Sequence, residues 1–365
     1  MGAEPVARSA YVNGRFLAQP LSGVQRFATE ITAALGRVWP PDALPRPLLL
    51  VPATVEAASA PPSLQRRQVP HRQGVAWEQL DLPHYVSGGV LVSLGNAAPL
   101  RARRQVVVIH DTGVFSAPGA YSWQFRAWYA FMHRRLVRGG ARIATVSEFS
   151  KGEIIRHLGT PRRGIGVLGE GADHMGRIVP DGAILARHGL AAGCFVLAVG
   201  NLSAHKNLAA LNETAQALAR RGQRLVIAGG LDAAVFNARR QALPHPACYV
   251  GRVSDEELRA LYGAAACFVF PSLYEGFGLP AVEAMACGCP VVASGIPALR
   301  ETCGGAALFC DPLDGQAIAR EVCRVLDEPA LRARLATAAS ARAGGITWDN
   351  AARALAAMIL QERDA

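Results

Sequence analysis

Short apolar runs that end at glycine, proline or serine alternate with segments of helical period throughout the second half of this chain. Five runs predict strands: residues 194–199, 224–228, 248–250, 267–270 and 290–293. Four intervening segments predict helices: residues 208–220, 232–241, 255–262 and 280–286. Continuous apolar strands joined by helices are typical of a parallel sheet that is covered on both faces. The second half is therefore predicted to fold as a Rossmann-like α/β domain.

The first half repeats this alternation less regularly. Its predicted strands are residues 47–51, 89–94, 106–110 and 142–146, while residues 10–20 are ambiguous. A chain of 365 residues is long for one core, and glycines and prolines cluster between residues 173 and 193. We therefore predict three parts: an N-terminal Rossmann-like domain at residues 1–180, a second at 190–345, and a final helix at 346–365.

The excess positive charge lies in the first half of the chain. Residues 1–180 contain 21 Lys and Arg against 11 Asp and Glu, whereas residues 181–365 contain 17 of each kind. A basic half suits a phosphorylated substrate, an anionic membrane surface or nucleic acid. Composition alone does not choose among these partners.

The lengths of the apolar stretches indicate in which cellular compartment the protein is expected. Residues 47–53 and 264–271 are too short to span a bilayer, and residues 1–10 lack the apolar run of a secretory signal. We therefore expect a cytoplasmic protein. All eight cysteines follow residue 190 without metal-finger or C-x-x-C spacing, so we expect small reduced core residues rather than disulfides.

The loop after residues 267–270 is where chemistry is expected, because ligands of parallel α/β sheets bind beyond the carboxyl ends of the strands. Pro280 suits the first turn of the next helix, which leaves the amides of residues 276–279 to meet a phosphate. Glu283 is predicted in the first turn, eight positions after Glu275, so both carboxylates can flank that phosphate. Alternatively, Glu283 only complements the helix dipole and the loop glycines only permit a turn.

Residues 274–280 and 283–294 resemble the E-x7-E signature of retaining glycosyltransferase family 4. Their sequences are YEGFGLP and EAMACGCPVVAS. Further segments agree with this family in order and position: residues 22–27, 110–111, 145–151, 197–200, 205–208 and 251–258. The resemblance covers nearly the whole chain. It implies a GT-B fold, in which two Rossmann-like domains face each other and the last helix crosses back to the first.

The resemblance also implies roles for individual residues. It places Glu275, His110 and Lys206 in catalysis, with His110 contacting the transferred sugar. The residues that it assigns to the donor nucleotide sugar are Gly23, Asn201, Lys206, Arg252, Val253, Gly276, Phe277, Gly278, Leu279 and Glu283. The family often has Arg where this chain has Asn201, so we expect Lys206, helped by His205 or Arg252, to carry the positive charge near the pyrophosphate.

Simpler interpretations of three of these residues stay open. Taken alone, Lys206 is an ordinary solvated lysine, His110 a core histidine bonded to a carbonyl, and Gly23 a turn glycine. Within the motifs we favour the functional interpretation of each residue.

No Asp-x-Asp motif and no metal-ligand spacing occurs in the sequence. We therefore predict metal-independent transfer that needs no cofactor besides the nucleotide sugar. Retention, which the resemblance implies, proceeds either by same-face attack or by double displacement through Glu275. We favour same-face attack, in which the leaving phosphate helps to deprotonate the acceptor hydroxyl.

Residues 121–136 mix aromatic and basic side chains on a predicted helix. Such a helix suits the surface of an anionic membrane, and peripheral association would place the protein at the inner face of the cell membrane. The alternative is a core helix with a solvated basic edge. Membrane association would suit a lipid-linked saccharide acceptor.

The donor and the class of protein leave rival interpretations. The resemblance to mannosyltransferase-like members favours GDP-mannose, with a UDP-sugar such as UDP-glucose as the alternative. Other GT-B activities, such as phosphorylases, epimerases or sucrose or glycogen synthases, suit longer chains. A basic scaffold that binds nucleic acid without catalysis is the non-enzyme alternative. We favour an enzyme without a nucleic-acid partner, because Glu275, Glu283 and Lys206 are all present.

Overall fold

The computed structural model describes residues 9–43, 45–56, 63–86, 88–116, 119, 121–230 and 243–364. The chain divides into two compact units, one formed by Met1–Gly171 with Trp348–Ala365 and the other by Ala172–Thr347. The division after Gly171 lies N-terminal of the predicted boundary. Packing gives the reason, because Met175, Ile184 and Leu190 belong to the hydrophobic core of the second unit.

The first unit is built on a parallel sheet of seven strands. These are β1 (Ala10–Asn13), β2 (Leu48–Pro52), β3 (Gln65–Val69), β4 (Val90–Ser93), β5 (Gln105–Val108), β6 (Arg142–Thr145) and β7 (Ile165–Val167). Their order in the sheet is β3-β2-β1-β4-β5-β6-β7. The four strands predicted in this half are confirmed as β2, β4, β5 and β6. The sequence had not predicted β3, whose Gln65, Arg66 and Arg67 are polar and exposed at the edge of the sheet.

Helices connect the strands of this sheet. They are α1 (Gly23–Val38), α2 (Gly74–Ala76), α3 (Gly113–Ser116), α4 (Trp123–Arg138) and α5 (Glu148–Leu158), with a π-helical turn at Trp77–Asp81 and 3-10 turns at Gly14–Ala18 and Leu82–Tyr85. Ser122 caps α4 by accepting from the Phe125 N–H, and Ser147 caps α5 by accepting from the Ser150 N–H. These caps satisfy N–H groups that the first turn of a helix leaves unpaired.

The second unit is built on a parallel sheet of six strands. These are β8 (Phe195–Val199), β9 (Arg224–Ala228), β10 (Cys248–Gly251), β11 (Cys267–Phe270), β12 (Val291–Ser294) and β13 (Ala307–Cys310). Their order is β10-β9-β8-β11-β12-β13. This is the doubly wound order of a Rossmann domain, and it confirms the five strands predicted here. The direction of winding reverses between β8 and β11, which is where such sheets bind ligands.

The helices of the second unit agree with three of the four predicted segments. They are α6 (Ala183–Arg187), α7 (Asn212–Ala219), α8 (Asp255–Ala264), α9 (Leu279–Ala286), α10 (Pro297–Cys303), α11 (Gly315–Asp327) and α12 (Pro329–Gly344). Additional 3-10 turns lie at Asp173–Arg177, Ala204–Lys206, Leu208–Leu211 and Gly304–Ala306. The helix predicted at residues 232–241 lies outside the described residues. Ser254 and Glu257 start α8 with a capping box.

The final helix, α13 (Trp348–Asp364), packs in the first unit, which confirms that the chain returns to its first domain. Trp348 meets the edge of Phe27 on α1 with a ring-centroid distance of 5.7 Å. A Cβ at Gly166 on β7 would lie 2.4 Å from the Met358 sulfur, so the glycine leaves room for the Met358 side chain of this helix.

Alternate side chains of β8 enter opposite cores. Phe195 and Leu197 belong to one apolar cluster, whereas Val196 and Ala198 belong to another. The sheet is therefore covered on both faces, as its continuous apolar strands predict. Within the described residues, no helix has both the length and the hydropathy that crossing a bilayer requires.

All eight cysteines carry free thiols. Cys267, Cys289 and Cys303 are buried, as predicted for small core residues. The prediction is wrong for Cys194, which is exposed because it stands in the turn before β8 begins.

Candidate active site

The loops that follow β8, β9 and β11 meet at the carboxyl edge of the second sheet. The Leu273 N–H donates to the His205 carbonyl at 2.7 Å, which ties the loop after β11 to the loop after β8. Gly229 follows β9 with a φ of 145°, and a Cβ there would lie 2.0 Å from the Gly200 oxygen. These contacts fix the backbone around the switch point between β8 and β11.

Lys206 and Glu275 form an ion pair at this edge. The Lys206 Nζ donates to Glu275 Oε1 at 2.6 Å and lies 5.3 Å from the centre of the Phe270 ring. Asn207 adopts the left-handed conformation, and its side-chain amide donates to the carbonyls of Pro271 and Pro312. The backbone on both sides of Lys206 is therefore anchored by hydrogen bonds. The partly buried Glu275 carboxylate and the Phe270 ring hold its ammonium group.

The glycine-rich loop after β11 delivers the N-terminus of α9 to the same edge. Gly278 is the N-cap residue with a φ of 96°, and a Cβ there would lie 2.3 Å from Leu299 Cδ2. No side chain caps this end of the helix, and Pro280 occupies its first turn. The positive end of the helix dipole therefore adds to the charge of Lys206, which is the arrangement that binds phosphate at helix N-termini.

Glu283 lies in the second turn of α9, because the helix begins at Leu279 and has no acidic residue in its first turn. The prediction of a first-turn position was therefore wrong. Its carboxylate is buried, and each oxygen has one protein partner: Oε1 lies 3.1 Å from His174 Nε2, and Oε2 accepts from the Tyr262 hydroxyl at 3.3 Å. Because a carboxylate only accepts, His174 presents an N–H to it.

The sequence had not identified His174 and Tyr262 as site residues. His174 lies on the 3-10 turn Asp173–Arg177, and Tyr262 lies on α8. Burial, and secondarily the nearby Glu283 carboxylate, raises the pKa of the Tyr262 hydroxyl well above its ordinary value. Tyr262 therefore stays protonated and keeps donating to Glu283. These two donors fix the orientation of the second carboxylate of the signature.

The remaining donor-site candidates contribute in different ways. Arg252 is exposed after β10, and a Cβ at Gly230 would lie 3.2 Å from its Nε. Asn201 accepts the Ser203 N–H and so shapes the loop after β8. The side chain of Leu279 is buried, and that of Val253 is partly buried against the core. Gly276 and Phe277 are half-buried in the loop before α9.

His110 belongs to the first unit and follows β5. Its ring is buried, with Nε2 2.8 Å from the Leu94 carbonyl, Nδ1 3.7 Å from Glu170 Oε1 and the ring centroid 4.5 Å from that of Phe27. Nε2 therefore donates to a backbone carbonyl, as the simpler interpretation of a core histidine expects. The contact of His110 with a transferred sugar stays a prediction.

Gly23 also belongs to the first unit, where it is the first residue of α1. A Cβ built on Gly23 would meet nothing within 4 Å, and the residue does not have the positive φ of a turn glycine. Neither packing nor backbone conformation therefore requires glycine at this position. The close approach of a ligand to Gly23 stays a prediction.

The structure thus brings together the candidates of the second unit. Lys206, Glu275, Glu283 and the N-terminus of α9 surround one edge of one sheet, and Gly23 and His110 lie in the other unit. Among the described residues, no group of three His, Cys, Asp or Glu side chains is placed to hold a metal ion. The second-unit site combines a fixed cation, a helix N-terminus and an oriented carboxylate, which can hold a phosphate and a hydroxyl-bearing group.

Comparison with known proteins identifies the family. The model for Glycosyl transferases group 1 matches residues 192–342, and that for Glycosyltransferase Family 4 matches residues 40–174. O-antigen chain mannosyltransferase B of Escherichia coli is 34% identical over 293 residues, which cover 77% of this chain and 75% of that protein. O-antigen chain mannosyltransferase RfbU of Salmonella typhimurium is 26% identical over 215 residues, 58% of each chain.

The same fold is found among solved structures. Sucrose-phosphate synthase of Thermosynechococcus elongatus matches with a TM-score of 0.73 at 19% identity, covering 97% of this chain and 98% of that one. At this low identity the match shows only the fold. The identity and coverage of the Escherichia coli relative show the family. This chain is a glycosyltransferase of the GT-B fold and belongs to glycosyltransferase family 4.

Proposed function

We propose that this glycosyltransferase transfers mannose from GDP-mannose, with retention of configuration, to a saccharide or lipid-linked saccharide in polysaccharide or glycolipid biosynthesis. The observation that carries the proposal is the Lys206–Glu275 pair beside the N-terminus of α9. The two O-antigen mannosyltransferases to which the chain is similar support the sugar and the class of product.

The donor diphosphate binds at Lys206 and the N-terminus of α9. Negative charge grows on the leaving phosphate as the bond to the anomeric carbon breaks, and a fixed cation stabilises that charge most in the transition state. An ammonium group has three N–H donors, of which one points at Glu275. Lys206 can therefore hold Glu275 and a phosphate oxygen together.

Glu283 binds the ribose hydroxyls of the nucleotide. A carboxylate accepts from two neighbouring hydroxyl groups, and His174 and Tyr262 orient this one. The fixed orientation lowers the entropy that binding must overcome. Glu283 lies one turn along α9 from the helix N-terminus, and this position suits the ribose that is joined to the diphosphate.

The ion pair of Glu275 supports same-face attack over double displacement. A carboxylate that accepts from Lys206 is a poorer nucleophile than a free one, and it is better suited to accept from hydroxyls of the transferred sugar. In the proposed step the acceptor oxygen bonds to the anomeric carbon while the bond from that carbon to the phosphate oxygen breaks. The acceptor hydroxyl proton passes to the leaving phosphate.

We propose that transfer is metal-independent, because Lys206 and the helix N-terminus supply the positive charge that a divalent cation supplies elsewhere. Initial rates should be equal in EDTA and in added Mg²⁺ or Mn²⁺. A rate that vanishes in EDTA and returns with metal would overturn this part of the proposal.

The donor is tested by thermal unfolding with GDP, UDP, dTDP and their sugar conjugates at one concentration. We expect GDP and GDP-mannose to raise the Tm of the wild type and of Lys151→Met, and to raise that of Lys206→Met and Glu283→Gln much less. Lys151 is a matched control, because it is the other lysine of the chain and pairs with Glu148 on an exposed helix. A selective shift with UDP-sugars would favour the UDP-dependent alternative, and a shift with nucleic acid alone would favour the binding scaffold.

We propose that α4 places this cytoplasmic protein peripherally on the anionic inner membrane surface. Trp123 and Phe131 are 72% and 51% exposed, and Arg134, Arg135 and Arg138 lie on the same helix. Exposed aromatic rings beside arginines suit a headgroup region. The wild type should sediment with phosphatidylglycerol vesicles more than Trp123→Ser/Phe131→Ser does; equal sedimentation of both would refute this surface.

A further inference from the structure

Two adjoining cavities lie at the amino edge of the first unit's sheet, and we call them the amino-edge cavities. Their volumes are about 440 and 320 Å³. Arg101, Ala102 and Arg103 line both cavities, so this segment forms the wall between them. Chain order defines the edge, because residues 101–104 precede β5, and Gly88 and Gly89, which line the larger cavity, precede β4.

The amino-edge cavities are separate from His110, one of the two predicted site residues in this unit. His110 follows β5, whereas Arg104 precedes it, and β5 has four residues. At roughly 3.3 Å per residue the two ends of this strand stand about 13 Å apart. A molecule bound in these cavities would therefore not take part in chemistry at the carboxyl edge.

Arginines dominate the charge around these cavities. Arg101, Arg103 and Arg104 line the larger one, and Arg101, Arg103 and Arg135 line the smaller one. Residues 101–142 contain eight arginines and a single acid, Asp111, which follows the opposite end of β5. In the described part of the chain, Arg101, Arg103 and Arg135 form no ion pair. Their positive charge is thus concentrated and locally uncompensated.

The loop that carries Arg101 and Arg103 is braced from both sides. The Gln105 side-chain amide donates to the carbonyls of Pro99 and Ala102, and the side chain of Gln79 exchanges hydrogen bonds with Leu100 N–H and the Ala98 carbonyl. Arg104 donates to the Glu362 carbonyl on α13. The arginines therefore project from a fixed backbone, which reduces the entropy lost when they close on a ligand.

We propose that the amino-edge cavities bind a phosphate-bearing anion, with Arg101, Arg103 and Arg135 as its ligands. The planar guanidinium group matches phosphate with two parallel N–H donors, and several such groups around one concave site favour a multiply charged anion. The volumes suit a small phosphate ester. The phosphate comes either from a soluble molecule or from a lipid headgroup, and this site goes beyond the proposed transfer reaction.

The test compares two double variants of equal charge. Arg101→Ala/Arg103→Ala removes the wall between the cavities and leaves Arg104 in place as a brace. Arg66→Ala/Arg162→Ala removes two exposed arginines of the same unit that line neither cavity. Thermal unfolding of both variants verifies that they are folded.

Calorimetric titration with inorganic pyrophosphate tests the soluble source, and sedimentation with phosphatidylcholine vesicles that contain phosphatidic acid tests the lipid source. We expect the cavity variant to lose about tenfold or more in affinity for one probe, as the loss of charge-assisted hydrogen bonds predicts, with little change in the control variant. The affected probe identifies the source. If pyrophosphate bound only at the donor site, neither pair of substitutions would change its affinity.

The proposal is overturned if neither probe binds the wild type, if the cavity variant binds both probes like the wild type, or if both variants lose affinity equally. Equal loss would show that the first unit attracts anions by its net charge alone.

Discussion

Replacing Lys206 by Met should separate its catalytic role from its structural one. The side chains of Lys206 and Glu275 are 19% and 12% exposed, whereas those of the control pair Lys151 and Glu148 are 34% and 64% exposed. Removal of Lys206 leaves a partly buried carboxylate without its cation, for which we expect a loss of about 1–3 kcal/mol in the free energy of unfolding. Lys151→Met should cost less than about 0.5 kcal/mol.

The effect of Lys206→Met on catalysis should be larger than its effect on stability. Loss of a preorganised charge at the leaving group is expected to lower kcat by about 10²–10³, as for other groups that stabilise transition-state charge. Initial rates at saturating donor, and urea unfolding of the same preparations, measure the two effects. Lys151→Met should keep the kcat of the wild type.

The double variant Lys206→Met/Glu275→Gln tests the reasoning most sharply. Replacing Glu275 by the neutral isostere removes the uncompensated charge, so stability should return toward that of the wild type while kcat stays low. If Lys206→Met retains kcat within about threefold, the transition-state role of this lysine is refuted. If the double variant regains both stability and kcat, Lys206 serves only to neutralise Glu275.

Four further variants test other candidate residues. Tyr262→Phe should weaken nucleotide binding by about tenfold in calorimetry, because it removes one donor that orients the carboxylate proposed to bind ribose. This loss of affinity should be constant from pH 6 to about 9, since the raised pKa keeps the Tyr262 hydroxyl protonated. Unchanged binding would contradict the orienting role. Gly278→Ala should lower the free energy of unfolding, measured in urea, by at least about 1–3 kcal/mol. Gly23→Ala should leave stability intact, and it should lower activity if a ligand approaches this residue closely. Equal losses of stability in the two variants would contradict the geometry of both glycines. Arg252→Ala should raise the donor KM more than it lowers kcat, and a normal KM would exclude a phosphate contact.

Most of the strands predicted in the second half are buried on both faces. β8, β9, β11 and β12 are continuous apolar runs because helices cover both sides of the second sheet. The pattern fails for β3, whose position at the edge of the first sheet permits polar side chains. Edge position is not the whole reason, because β10 is an edge strand that was predicted, whereas β1 lies inside the first sheet and residues 10–20 stayed ambiguous.

The strand pattern predicted that Glu275 lies in the loop after residues 267–270, and the structure confirms this position after β11. The position of Lys206 came from the family resemblance, and this lysine lies in the loop after β8. Sequence could not place the partners of Glu283, since His174 is 109 positions away along the chain and Tyr262 is 21. Both partners lie on elements other than α9, so no pattern within one helix links them to Glu283. Only the packing of the 3-10 turn and of α8 against α9 brings these donors to the carboxylate.

The electrostatics of the second-unit site explain why an anionic donor can bind beside two carboxylates. Glu275 is compensated by Lys206, and Glu283 is engaged by two hydrogen-bond donors rather than facing the helix N-terminus. Arg252 is exposed and forms no ion pair with the described residues. Its charge is therefore not opposed by a paired carboxylate, and the proposal predicts that Arg252 assists Lys206 and the N-terminus of α9 in binding the diphosphate.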